Sequence, residues 1–583
     1  MNNIQNEILI FIFENGYTNQ RDIAKNLNLS VGLVNKTLGK LISSNYLDED
    51  YSLTSKAINI IQKNSPKNAI ILAAGYGMRM VPINNEMPKG LIKVKNETLI
   101  ERIIKQLHES NIKNIYIVVG FLKEKFEYLI DKYNVNLIVN NKYSSLNNLY
   151  SLYLAKDFIE NSYIIPSDIW CQYSPFRKNE INSWYLVTDK NDLNSNVKLN
   201  RKNELLITNS YGNKMIGISY INKDDSLLLK KQLCLMYNNP EYYNSYWEQA
   251  LINGKKFTIS GRILYKNEIT EINTYEQLMD IDENSDSLNN EAINIIKNVF
   301  KIGKKEIKNI EILKKGMTNR SFLFMVNNQK YIMRIPGEGT DKLIKRDEEA
   351  HVYDIINGKN ISDDVIYINP QNGYKITNFF ENARVCDASN VDDLKAVMKK
   401  LKDFHQMKLK VSHEFNIYKK IDFYESLWIE KNSVYDDYQN TKKNVLSLRE
   451  FIEENIEEKI LTHIDAIPDN FLFTNNGIRL IDWEYSGMQD PHVDIAMFII
   501  YSLYNKEQAD NLIDIYFNNK CKTKTRVKIY CYIALCGLLW SNWCEYKRGL
   551  GIDFGEYSLA QYRYAKDFYN IAKQEMEKLK WIK

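Results

Sequence analysis

Residues 68–91 read NAIILAAGYGMRMVPINNEMPKGL, and they decide how the middle of the chain folds. Ala69–Ala73 is an apolar run of strand length, and Gly75 and Gly77 follow at once. A buried strand running into a glycine-rich turn lets backbone N–H groups close on phosphate oxygens without side-chain obstruction. Ala73, Ala74, Gly75 and Gly77 are therefore candidate nucleotide-binding residues. Arg79 and Lys89 add positive charge where a departing pyrophosphate needs it. Outward from this run, a helix is expected near 98–110 and strands at 114–119, 135–139 and 163–166. That alternation builds a mostly parallel sheet.

Upstream, residues 1 to about 65 read as a small helical unit. Ile4, Ile8, Phe11 and Ile12 share a helical face, and Ser30 is placed to cap a helix over 30–41. A short hairpin is expected over 46–53 and a last helix from about Thr54. The order resembles winged helix-turn-helix domains. Downstream, the polar stretch Asp280–Asn290 reads as a linker. Beyond it come strands near 322–326 and 331–335, then a helix-rich segment from about 391.

The second chemical constellation is THIDAIPDNFLFTNNGIRLIDWEYSGMQDPHVD over 462–494. His463, Asp465 and Asn470 have the HxDxxxxN spacing of a kinase catalytic loop, with Asp orienting an acceptor hydroxyl and Asn holding Mg2+. Asp482, twelve residues past Asn470, corresponds to the second metal-binding aspartate. His463 reads as support for its loop. Trp540 and Trp543 lie at i, i+3 on one helical face. With Trp483 and Tyr485 they are candidates to box a trimethylammonium group through cation–π contacts; the bland reading makes them core.

The chain of 583 residues is long enough for three or four domains at roughly 150 residues each. Its 77 Lys and Arg nearly balance 73 Asp and Glu, which excludes a chain whose whole surface traps polyanions. Seven dispersed Cys without a CxxC pair indicate reduced thiols, not a disulfide framework or zinc site. No apolar run reaches about 18 residues, so a cytoplasmic protein with no membrane contact is expected.

The loop 72–80 with the PKGL that follows resembles the sugar-nucleotide and phosphocholine nucleotidyltransferase superfamily, whose fold is Rossmann-like. The run 141–153 is similar to bacterial CTP:phosphocholine cytidylyltransferases, which implies phosphocholine contacts at Asn148 and Tyr150. The same resemblance makes Asp168, at a strand end, the Mg2+ ligand. The chain departs from the family where Glu271-Ile-Asn273 replaces an acidic-Ile-Asp motif. The third domain resembles choline and aminoglycoside kinases. That resemblance makes Gly316–Ser321, with Thr318 and Asn319, a phosphate-covering loop. Arg334 then stands where most kinases place the strand lysine, with Glu349 as its helix partner, and Arg keeps the charge while changing the geometry.

The expected architecture is multidomain α/β: a winged helix-turn-helix over 1–66, a Rossmann-like nucleotidyltransferase sheet over 67–284, and a kinase-like α+β domain of aminoglycoside phosphotransferase/choline kinase type over 285–583. The resemblances imply that ATP phosphorylates choline and that CTP then converts phosphocholine to CDP-choline, with Mg2+ in both steps. Two alternatives stay open. One keeps the chemistry and changes the amine to ethanolamine or an aminophosphonate. The other is a DNA-binding regulator whose enzyme-like domains only sense ligand, although Lys36 and Lys40 alone make no phosphate-binding stripe; DNA or protein is the partner expected at the winged helix.

Overall fold

The computed structural model describes residues 1–583 apart from 78–79, 84–86, 194, 196, 201–202, 209–210, 253–258, 265–268, 314–318, 338–339, 341–342, 553 and 582–583. Arg79 and Thr318 therefore lie outside the described residues, as do Gly316 and Met317 of the loop expected at 316–321. Two compact units emerge: Met1–Lys304 with Ile310–Ile312, and Lys305–Asn309 with Leu313–Lys583.

The first unit opens with helices Asn3–Asn15, Gln20–Asn26, Val31–Ser43 and Ser55–Asn64. Ser30 caps the third as expected, its Oγ accepting from the Leu33 N–H at 3.3 Å. The expected hairpin at 46–53 contracts to one bridge, Leu47 to Leu53. Its tip folds on itself: Asp50 accepts from the Ser52 backbone and hydroxyl, and Tyr51 takes φ +65°. Leu9, Ile23, Val34, Leu38 and Ile61 form the core of this part, and Ile181 of the following sheet domain inserts into it.

A seven-stranded sheet follows, in the order Ser260–Leu264, Trp184–Asp192, Gly212–Ile221, Ser162–Pro166, Asn68–Ala73, Asn114–Val119, Asn136–Val139. Asn68–Ala73 is central and parallel to both its neighbours. Its alternate residues are apolar on both faces because both are covered: Ala69 and Ile71 meet Ile103 and Leu107 of helix Leu99–Glu109. Ile70, on the other face, meets Leu152 and Leu229 from helices Asn148–Leu154 and Lys223–Tyr237. The ends of the central strands thus open one crevice holding Gly75 and Asp168.

The stretch expected as a linker is folded instead. Helix Tyr275–Ile281 runs into it, Leu288 is fully buried, and Ser285 Oγ donates to the Lys93 carbonyl at 2.5 Å. Asp282 also accepts from the Lys95 N–H at 2.6 Å. Its Asp and Ser side chains satisfy a neighbouring loop's backbone, so polarity here marks a packed turn.

In the second unit, strands Asn319–Val326 and Gln329–Pro336 form a hairpin. Asn327 and Asn328 close it, both with left-handed φ, which suits the twist of a two-residue turn. Strands Lys375–Asn378 and Val365–Ile368 extend this sheet, and helix Arg346–Ile356 follows the hairpin. The rest is mainly helical around the buried helix Thr523–Gly549. Among the described residues, no helix is long and apolar enough to cross a membrane.

Candidate active sites

In the first unit the strand Asn68–Ala73 delivers Ala73 and Ala74, both buried, to the turn. Gly77 has φ +63°, and a Cβ there would stand 3.3 Å from Lys89 Cβ, so this turn needs glycine. Lys89 Nζ lies 2.5 Å from Asp168 Oδ2 and 2.6 Å from Asn273 Oδ1. Three residues far apart in sequence therefore converge, with an ammonium between two hard oxygens. The Ile272 N–H donates to the Asp168 carbonyl at 2.8 Å and holds the two strand ends in register.

Asn148, expected to contact substrate, is engaged within the fold. Its Oδ1 accepts from the Trp247 N–H at 2.8 Å, so the amide braces backbone. Tyr150 stacks on Tyr237 with ring centroids 5.6 Å apart. Sequence reasoning missed Glu248. Its carboxyl accepts from Tyr185 Oη at 3.1 Å, and its Oε2 has no partner among the described residues. Burial, opposed by hydrogen bonds and assisted by the charges of Asp168 and Glu271, pushes it up to about 7. One acid among aromatic residues carries no spacing signal, so only the fold reveals it.

In the second unit, Asn470 Nδ2 donates to the Asp465 carbonyl at 2.9 Å and to Asp465 Oδ2 at 3.1 Å. Asp494 fixes this loop by accepting from the His463 and Ile464 N–H groups at 3.0 and 2.7 Å. Ile464 can then keep φ +72°, a costly conformation for a β-branched residue. His463 serves its loop as expected: its Nε2 meets the Ile481 carbonyl at 3.0 Å, and burial holds the ring down to about 4. It stays neutral.

Arg334 and Glu349 form a buried two-point ion pair, and Arg334 Nη2 also donates to the Gly373 carbonyl at 2.9 Å. Burial raises the Glu349 carboxyl, but the guanidinium outweighs it and leaves Glu349 at about 2. Arg334 Nη1 stands 4.0 Å from Asp482 Oδ1. Burial first, then the charge of Glu484, pushes Asp465 up to about 7 and Asp482 well above its ordinary range. Asn319 does not face these carboxylates freely: its Nδ2 donates to Glu484 at 2.8 Å. Acids this poorly compensated are a place for added cations.

Among the four expected cage rings, Tyr485 and Trp540 meet edge to face at 5.7 Å, and Trp540 and Trp543 at 5.4 Å. Trp483 does not join them. It is fully buried, donates to the Leu480 carbonyl at 2.7 Å, and packs on His463 at 4.5 Å. Its place beside Asp482 in sequence turns its side chain under the catalytic loop. Tyr424 was not singled out in the sequence; its buried hydroxyl has no partner among the described residues and feels the charges of Glu484 and Asp465.

Fold and geometry define a class: a nucleotidyltransferase joined to a kinase-fold phosphotransferase. Residues 310–534 match the choline/ethanolamine kinase family, 68–182 the nucleotidyl transferase family, and 1–48 the winged helix-turn-helix DNA-binding family. A choline-phosphate cytidylyltransferase of Streptococcus pneumoniae is 33% identical over 221 residues, 37% of this chain and 96% of that protein. Protein LicA of Haemophilus influenzae is 30% identical over 258 residues, 42% of this chain and 95% of that one. The crystal structure of choline kinase LicA from Streptococcus pneumoniae is 29% identical, covers 48% of this chain and 98% of that one, and superimposes with a TM-score of 0.42. The chain belongs to the choline-phosphate cytidylyltransferase family through its middle part and to the LicA choline kinase family through its C-terminal part.

Proposed function

We infer that this is a bifunctional enzyme that makes CDP-choline from choline, ATP and CTP. The observation that carries this reading is that Asn470 bonds Asp465 while Asp465 and Asp482 both feel the charge of Glu484, in a unit that also holds the ring cluster Tyr485, Trp540 and Trp543. In the kinase, Asp465 takes the hydroxyl proton of choline while the oxygen attacks the γ-phosphorus of ATP and ADP leaves. Arg334, held by Glu349, faces the phosphates. The rings receive the trimethylammonium, which has no N–H to donate and depends on ring faces and nearby acid.

In the first unit, a phosphate oxygen of phosphocholine attacks the α-phosphorus of CTP. The Gly75–Gly77 turn encloses the phosphates, and Lys89 stabilises the departing pyrophosphate. Arg79 is assigned the same role from sequence alone. Glu248 supplies negative charge toward the quaternary amine of phosphocholine. The donors suit Mg2+: Asp168 and Asn273 in one unit, Asn470 and Asp482 in the other, all oxygen. Phosphate oxygens of a bound nucleotide would add further hard ligands. Mg2+, when bound, neutralises phosphate charge.

The working parts are proposed as 1–66, 67–284 and 285–583, and the use of ATP and CTP points to the cytoplasm. One experiment tests the whole. Purified protein with choline, ATP, CTP and Mg2+ should give CDP-choline, ADP and pyrophosphate by mass spectrometry. Failure to convert choline while ethanolamine is converted would reassign the amine.

A further inference from the structure

Asp465 is the residue after Ile464, whose left-handed φ of +72° is held by the Asp494 carboxyl. Any turn of that backbone swings the Asp465 carboxyl away from the hydroxyl it must meet. What steadies Asp494 is a side chain from another helix. Asp494 is fully buried in the first turn of helix His492–Tyr501. His405, in the last turn of helix Val391–Gln406, brings Nε2 to 3.0 Å from Asp494 Oδ2. Its other ring nitrogen, Nδ1, stands 2.8 Å from the hydroxyl of Tyr516 on helix Lys506–Phe517.

The hydrogens in this chain run one way. Asp494 Oδ1 accepts from the Ile464 N–H and Oδ2 from the His463 N–H, so His405 meets Oδ2 as a donor through Nε2. Nδ1 then accepts from Tyr516. Burial, with the charges of Asp494 and Asp490, pushes that hydroxyl well above its ordinary range, so it keeps its hydrogen. His405 is itself buried, and a lost partner here leaves a polar group without water to replace it. Its neighbour Phe404 meets Trp483 edge to face at 5.1 Å. Two successive residues of one helix thus brace two parts of the catalytic segment.

We propose that His405 is a positioning residue for phosphoryl transfer: it gives Asp494 a third donor and so fixes the loop backbone that aims Asp465. The inference rests on the kinase reading for its activity readout. A group that acts through Asp494 in this way changes the rate of the chemical step and leaves substrate binding alone.

Full-length His405→Leu and His405→Gln test this together. Leu removes both hydrogen bonds, whereas Gln carries an amide N–H the same number of bonds from the backbone as Nε2. His405→Leu should lower kcat for choline phosphorylation roughly thirtyfold, the value of one hydrogen bond to a charged group, with the KM values for choline and ATP nearly unchanged. His405→Gln should recover most of that loss. CDP-choline formation from supplied phosphocholine should stay at the wild-type rate in both and reports the folded protein present. Hydrogen exchange read by mass spectrometry needs no substrate: amides over 462–470 should exchange about thirtyfold faster in His405→Leu and near the wild-type rate in His405→Gln. Should His405→Leu fail to give a normal melting transition, Tyr516→Phe, which removes only the donor to Nδ1, decides by a kcat fall of about fivefold at constant KM. Unchanged kcat and loop exchange in folded His405→Leu, a Gln variant as impaired as the Leu one, or a loss carried by KM alone would overturn the proposal. A wild type that phosphorylates no amine would instead overturn the kinase reading, and loop exchange would then decide this inference by itself.

Discussion

Asp465 and Asp168 sit in different compact units, so their losses should separate. Asp465→Ala is expected to remove ATP-dependent phosphorylation of choline by at least a thousandfold while supplied phosphocholine is still converted, and Asp168→Ala to do the reverse. Loss of both activities from either change would mean that the two sites are not independent. Asn273 is the finer case. A neutral amide beside Asp168 leaves the Lys89 ammonium facing a single full negative charge. Asn273→Asp adds a second, so the Mg2+ giving half-maximal cytidylyl transfer should fall several-fold. An unchanged metal titration in the folded variant would sink this account. Glu248 carries a pH signature. Its folded carboxyl sits near 7, above its unfolded value near 4.5, so the unfolded state releases the proton first. Its neutral form favours folding below about 4.5, and that stability is lost as pH rises through 7. Glu248→Gln should therefore add up to about 3 kcal/mol of stability at pH 8, read as a higher melting temperature, and leave stability nearly unchanged at pH 4.5.

At the scale of elements, the rings beside the kinase site divide into two jobs that one substitution each can distinguish. Trp483 is a strut under the catalytic loop, so Trp483→Ala should cost about 3–5 kcal/mol, seen as a lower melting temperature affecting ATP and choline alike. Trp543 lines the ring cluster at the end of a long helix. Trp543→Ala should raise the choline KM about thirtyfold, the value of one desolvated cation–π contact near 2 kcal/mol, with the ATP KM unchanged. A normal choline KM in folded Trp543→Ala would remove it from the cage. This division explains what sequence could and could not tell. Strands at 69–73 and 114–119 were legible because local periodicity sets them, and the contact of Asn470 with Asp465 because a short loop of five residues joins them. Trp483, adjacent to Asp482, was not, because alternate residues of a loop point apart and only the packed core says which way. The stretch 280–290 misled for a related reason: composition counts polar side chains without telling whether water or a neighbouring backbone satisfies them. Glu248 and Tyr424 were invisible because their meaning comes wholly from distant partners.

For the molecule as a whole, joining two consecutive enzymes invites the idea that phosphocholine passes directly from one to the other. Physical scale argues otherwise. A molecule this small diffuses across a protein's width in well under a microsecond-to-millisecond window, whereas enzymes typically turn over about ten times per second. Unless walls enclose it, the intermediate leaves long before the second site could use it, and it accumulates in solution. Fusion then ensures equal supply of both activities and high local concentration only where many copies crowd together. The kinetic consequence is a lag in CDP-choline formation while phosphocholine builds up. A mixture of Asp465→Ala and Asp168→Ala proteins, at the same concentration of each working site as the wild type, should show the same lag and the same final rate. A continuous assay of pyrophosphate release in dilute solution measures both. A wild-type curve without a lag, beside a mixture that has one, would establish direct transfer and replace free diffusion as the account.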